Sequence, residues 1–101
     1  MTDHVMKKDI IKVKVLSLSH YVGKALKRAV YYRDENGIVI GKVPGASGFF
    51  AQGDTFEDAR ENLKDVIEGN VLLALQLGLE IPRLEGVEIE EKDVETQPPQ
   101  S

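Results

Sequence analysis

Hydrophobic and polar positions follow two rhythms along this chain, and the changes of rhythm divide it into elements. Ile11-Lys12-Val13-Lys14-Val15 repeats with period two, the spacing of a short strand whose lysines face water. Lysines suit an edge strand, because they oppose unwanted pairing. Val22, Ala25, Leu26 and Ala29 then fall at i, i+3, i+4 and i+7, which predicts a helix with Ser19 as its N-cap and Lys24, Lys27 and Arg28 on the other face. Gly23 lowers the intrinsic propensity of this helix by up to about 1 kcal/mol relative to Ala, so the helix depends on docking.

From Tyr31 to Pro82 the signals succeed one another without a gap. Two short strand patterns flank Asp34-Glu35-Asn36-Gly37, where Asn-Gly predicts a tight hairpin with both residues at positive φ. Phe49 to Gln52 forms a third strand pattern after the breaker cluster Pro44-Gly45-Ala46-Ser47-Gly48. Strand alternation sends one member of each aromatic pair, Tyr31/Tyr32 and Phe49/Phe50, to the core and the other to the opposite sheet face. On that second face an aromatic ring has three uses: cross-strand packing, an oligomer contact, or stacking on the bases of a single strand.

A long helix is predicted over residues 56–77. Thr55 caps it by accepting from the Asp58 N–H, Asp58 reaches back in a shortened capping box, and Glu57, Asp58 and Glu61 complement the helix dipole. Gly78 supplies the left-handed stop, and Pro82 prevents continuation. Phe56, Ala59, Leu63, Val66, Asn70, Leu73 and Leu77 mark the expected sheet-facing stripe. Val71, Leu72, Leu75 and Leu79 lie partly off that stripe, so the second half of the helix is apolar on more than one side. Two covers are open for this surplus: the N-terminal helix or the segment from Ile81 to Ile89 within one chain, or a homo-oligomer interface.

The expected architecture is α+β, a three-stranded antiparallel sheet packed against one long helix (βββα), with an added N-terminal strand and helix. Residues 1–90 are read as one domain with its core at 28–82. Gly86-Val87-Glu88-Ile89-Glu90 alternates and is expected to add an edge strand, whereas residues 91–101, acidic and containing Pro and Gln, are expected to be a disordered tail.

Composition changes this picture in two places. The chain of 101 residues has no cysteine, which excludes disulfides, thiolate nucleophiles and zinc–thiolate sites. No apolar run approaches the roughly 20 residues that span a bilayer, nor is there a signal-peptide core, so a soluble cytoplasmic protein is expected. The net charge of −4 is segregated: residues 1–33 hold eight Lys/Arg against two Asp, and residues 85–101 hold one Lys against six acids. The basic third, with Lys24, Lys27 and Arg28 at its centre, is either a solvated face or a phosphate-contacting footprint for nucleic acid.

The candidate chemistry is sparse. Two-metal phosphoryl chemistry needs several convergent carboxylates, usually one of them on a central strand, and Ala29 to Arg33 contains none. Asp34 and Glu35 are read as turn acids, and Asp54, Asp58 and Glu61 as helix-entry acids. His4 and His20 lack an assigned partner, and Gly37, Gly45, Gly48 and Gly53 form no phosphate loop but serve turns and close packing. No catalytic residue, metal or cofactor is expected.

The run DENGIVIGKVPGASGFFAQGDTFEDARENLK resembles the core motif of the HicB family of antitoxins. Its matching positions are Asn36-Gly37, Val43-Pro44-Gly45, Gly48, Ala51, Gly53-Asp54-Thr55, Glu57, Ala59 and Asn62, with a looser match to Leu79-Glu80-Ile81-Pro82. The resemblance spans about half the chain, which differs in its residues 1–29 and in having nothing like a DNA-binding module after Pro82. It implies a degraded ribonuclease H-like fold, oligomerisation, and a partner in a small HicA-like endoribonuclease toxin of double-stranded-RNA-binding-like fold, covered and inhibited sterically. The acidic middle and tail would speed association with such a basic partner. A nucleic-acid-binding module and a solitary homo-oligomeric domain without a toxin remain the rival readings.

Overall fold

The structure, a computed structural model, describes residues 9–96. Its elements in chain order are β1 (Asp9–Val15), α1 (Leu18–Arg28), β2 (Val30–Arg33), β3 (Val39–Lys42), β4 (Phe50–Gly53), α2 (Phe56–Leu77) and β5 (Glu90–Thr96). β2, β3 and β4 form an antiparallel sheet in that order, packed beneath α2, so the expected α+β class and βββα order are found.

The two helices begin and end where local chemistry directs. Thr55 Oγ1 accepts from the Asp58 N–H at 3.0 Å, and Gly78 closes α2 at φ +69°. In α1 the cap is Ser17 rather than Ser19: its Oγ accepts from the His20 N–H at 3.3 Å, which starts the helix one residue before Ser19. The hairpin turn also differs from expectation. Among the described residues no non-glycine has positive φ; in this turn Gly37 alone does, at +81°. Asp34 makes that possible, because its Oδ1 accepts from the Asn36 and Ile38 N–H groups at 2.9 Å each and holds the loop without a left-handed Asn36.

The core joins Tyr21, Val22, Ala25 and Leu26 of α1 to Val43, Ala46 and Phe49 around the β3–β4 connection, and to one stripe of α2. That stripe is Ala59, Leu63, Ile67, Val71 and Ala74. It shares only Ala59 and Leu63 with the expected stripe; Phe56, Leu73 and Leu77 are exposed, as is Asn70. The expected stripe advanced in alternating steps of three and four, whereas the real one advances mostly by four, and its buried face packs on the sheet and on α1 together. After α2, Ile81 and Leu84 are buried on the same core, and Val87 and Ile89 are packed partly against it. The segment from Ile81 to Ile89 therefore does cover part of the molecule.

The largest departure concerns the two ends. β1 does not join the main sheet, and the strand expected at residues 86–90 lies at Glu90–Thr96, inside the segment expected to be disordered. β1 and β5 pair with each other as a separate antiparallel ribbon, Asp9 opposite Thr96 and Val15 opposite Glu90. Across this ribbon Lys12 pairs with Asp93, Lys12 Nζ lying 3.1 Å from Asp93 Oδ1. The rest of the expected tail, residues 97–101, lies outside the described residues, as does His4.

Candidate interaction surface

The sheet has one face beneath α2 and one face bare. Register places Val30, Lys42 and Phe50 in one row across the three strands, and Tyr32, Ile40 and Gln52 in the next. These six side chains share the face opposite α2, because their neighbours Tyr31, Gly41 and Ala51 turn inward. Phe49 is buried while Phe50 is 62% exposed, and Tyr31 is half-buried while Tyr32 is exposed, so each aromatic pair splits between the two faces as its alternation requires. Lys42 Nζ stands 5.6 Å from the Tyr32 ring centroid, a cation–π contact that orders the middle of the face. Ile40, Phe50, Ala51 and Gln52 line a shallow depression beside it.

β4 is an edge of this sheet, and α2 guards it. Backbone pairing of Val43 with Phe49 sets the alternation, so the peptide groups of Phe50 and Gln52 point away from β3. Asn62 Nδ2 donates to the Gln52 carbonyl at 2.8 Å and occupies one of those outward groups. The helix can reach the strand because Gly53 lies against it: a Cβ there would stand 2.5 Å from the Ala59 backbone nitrogen. The motif residues Gly53, Thr55, Ala59 and Asn62 thus form one tight strand-to-helix joint.

The other predicted positions scatter. Val71 is 1% exposed and belongs to the core, so it cannot lie on an outer interface, whereas Leu72, Leu75 and Leu79 are exposed. The sequence reading put Val71 with them because it assigned the buried stripe to the wrong side of α2. Lys27 is exposed and Lys24 partly buried, but Arg28 donates to the Glu85 carbonyl and to the Lys24 carbonyl, tying α1 to the chain beyond α2. A groove of about 430 Å³ between the helices has Leu18, Val22 and Leu26 on one wall and Arg60, Glu61, Lys64 and Glu68 on the other.

Asp54, Asp58 and Glu61 edge a hollow at the start of α2, together with Asn62. Among the described residues no three His, Cys, Asp or Glu side chains are placed to hold a metal ion. None of the helices described is long and apolar enough to cross a membrane.

Sequence reasoning missed Tyr21. Its ring is wholly buried edge-on against Phe49, with centroids 6.3 Å apart, and its hydroxyl donates to the Pro82 carbonyl. Burial pushes its pKa up to about 12. Adjacency to Val22 on the apolar face of α1 was the available signal.

The family model described as UPF0150-like matches residues 20–82, from α1 through the turn after α2. The chain belongs to the UPF0150-like family. It is a HicB-related family of small antitoxin-like proteins. The chain is similar to the UPF0150 protein ssr1258 of Synechocystis sp., 44% identical over 36 residues, which are 36% of this chain and 52% of that protein. The chain thus spans about half the length of this curated relative. The crystal structure of TTHA0281 from Thermus thermophilus has a similar fold, with a TM-score of 0.64 and 25% identity over 82% of this chain and 95% of the other.

Proposed function

We propose that this UPF0150-like chain acts by binding protein, as a HicB-like antitoxin that covers a small HicA-like endoribonuclease and inhibits it sterically, without catalysis of its own. The observation that carries the reading is the bare sheet face centred on Phe50, 62% exposed in a row with Val30 and Lys42. Contiguous apolar surface rimmed by polar residues is the ordinary mark of a protein contact, and an exposed aromatic is the side chain that most often anchors one. Family membership, together with the motif from Asn36 to Asn62, supports the class of partner.

Growth during co-expression tests it. A HicA-like toxin encoded beside this chain should arrest growth alone and be neutralised by the wild-type protein, with loss of neutralisation for Phe50→Glu. A Phe50→Glu variant that still neutralises would remove this face from the contact, and a wild-type chain that never neutralises the adjacent toxin would overturn the antitoxin reading.

A further inference from the structure

The two edges of the three-stranded sheet are finished differently. On β4 the Asn62 amide occupies the Gln52 carbonyl, and α2 lies over β4 and β3. β2 has β3 as its one strand neighbour. The Asp34 N–H donates inward to the Ile38 carbonyl at 2.9 Å, so alternation turns the N–H and C=O groups of both Tyr31 and Arg33 away from β3. Among the described residues these four groups have no partner. The strand Val30-Tyr31-Tyr32-Arg33 holds neither the lysine nor the proline that blunt an edge. Arg33 does not block it: its guanidinium donates to the Gly37 carbonyl at 3.0 Å and lies 5.1 Å from the Phe56 ring centroid, held on the α2 side of the sheet.

We infer that the β2 edge is a strand-addition site, which takes an extended segment of a partner protein carrying acidic and apolar residues in alternation. Outward peptide groups at strand spacing are complementary to the peptide groups of another strand, which exchanges both bonds with Tyr31 and with Arg33. Side chains set the alternation. Residues of the incoming strand opposite Val30 and Tyr32 lie on the bare face, beside those two exposed side chains. Residues opposite Tyr31 and Arg33 lie on the α2 side, where they meet the Arg33 guanidinium and the exposed Phe56 ring. Charge selects acids for this second set. From Lys24 to Arg33 the chain carries four cations and no acid, although the whole chain is acidic, and the first acid beyond, Asp34, is spent on the N–H groups of its own turn. β2 and Phe50 of β4 stand on opposite edges of the sheet, and the site does not rest on the antitoxin reading.

Amide hydrogen exchange, read by nuclear magnetic resonance on the full chain during titration with a short synthetic peptide alternating valine and glutamate, is the test. The Tyr31 and Arg33 amides should exchange rapidly in the free chain and slow by roughly tenfold or more at millimolar peptide, while the Tyr32 amide, bonded to β3, is protected throughout. A valine–lysine peptide should bind roughly tenfold more weakly, and added salt should narrow that gap. Arg33→Pro removes one outward N–H and leaves the bonds to β3 in place, so it should abolish binding while the circular dichroism persists. Arg33→Ala keeps that N–H and should still show a slowed Tyr31 amide, and Phe50→Glu should bind as the wild type does. The wild-type exchange rates decide the matter even if Arg33→Pro unfolds. Tyr31 and Arg33 amides already protected in the free chain would mean that a second copy or another segment of the chain fills the edge, and would overturn the site. Unchanged exchange at millimolar peptide, equal binding of the lysine peptide, or undiminished binding to a folded Arg33→Pro would overturn it as well.

Discussion

The side-chain amide of Asn62, in the second turn of α2, donates a 2.8 Å hydrogen bond to the backbone carbonyl of Gln52 on the edge strand β4. One bond thereby fixes the helix to the sheet and occupies an outward-facing group of an edge that could recruit another strand. Asn62→Ala should destabilise the fold by about 1 kcal/mol, read from urea unfolding, the usual net loss for such a bond. An unchanged midpoint would show that water replaces the amide without cost.

Thr55→Ala removes the side-chain oxygen that accepts from the Asp58 N–H and should also cost about 1 kcal/mol. The predicted observable is a lower melting temperature, with Thr55→Ser restoring most of the difference because it keeps the oxygen.

Gly53→Ala and Gly48→Ala should separate sharply although both glycines belong to the family motif. A Cβ on Gly53 would meet backbone of α2 at 2.5 Å, whereas one on Gly48 meets nothing within 4 Å. Overpacking against backbone predicts a loss of roughly 1–3 kcal/mol at Gly53, against a change within about 0.5 kcal/mol at Gly48. Parallel denaturation curves that coincide would contradict the tight joint.

Tyr21 predicts a pH dependence at the alkaline end. Its folded pKa, about 12, is raised above the ordinary value of 10.0, so the protonated form is favoured by folding. Its contribution is therefore complete below pH 10 and lost as pH rises toward 12. The difference in stability between wild type and Tyr21→Phe should be constant below pH 10 and shrink or reverse above it. At neutral pH that difference should be about 1 kcal/mol, for the lost bond to the Pro82 carbonyl.

Much of the central fold was legible from neighbouring residues alone. The limits of α2 at Phe56 and Leu77 follow from Thr55, Gly78 and the charges of the first turn, which act within a few residues of the backbone they cap. The three strands and the split of Phe49 from Phe50 follow from period-two alternation, which needs only a sheet with one buried side. The bare face of the candidate site was therefore implied by the sequence, but its identity as a surface was not, because bareness depends on what fails to pack there.

What only the tertiary structure decided is long-range. Val71 and Ile67, rather than Leu73, enter the core that α2 shares with α1 and the residues around the β3–β4 connection, a shift of about one residue that helical periodicity alone cannot resolve. The Asn62 amide looked like an ordinary polar position until β4 arrived beside it. Lys12 and Asp93 lie 81 residues apart, and each read alone as part of a solvated charged run; their pairing makes a ribbon from two segments that have no local reason to be one element. Local rules fix dihedrals and caps through forces that act over one or two turns, whereas the partner of a strand and the covered side of a helix depend on contacts formed only after the whole chain has folded.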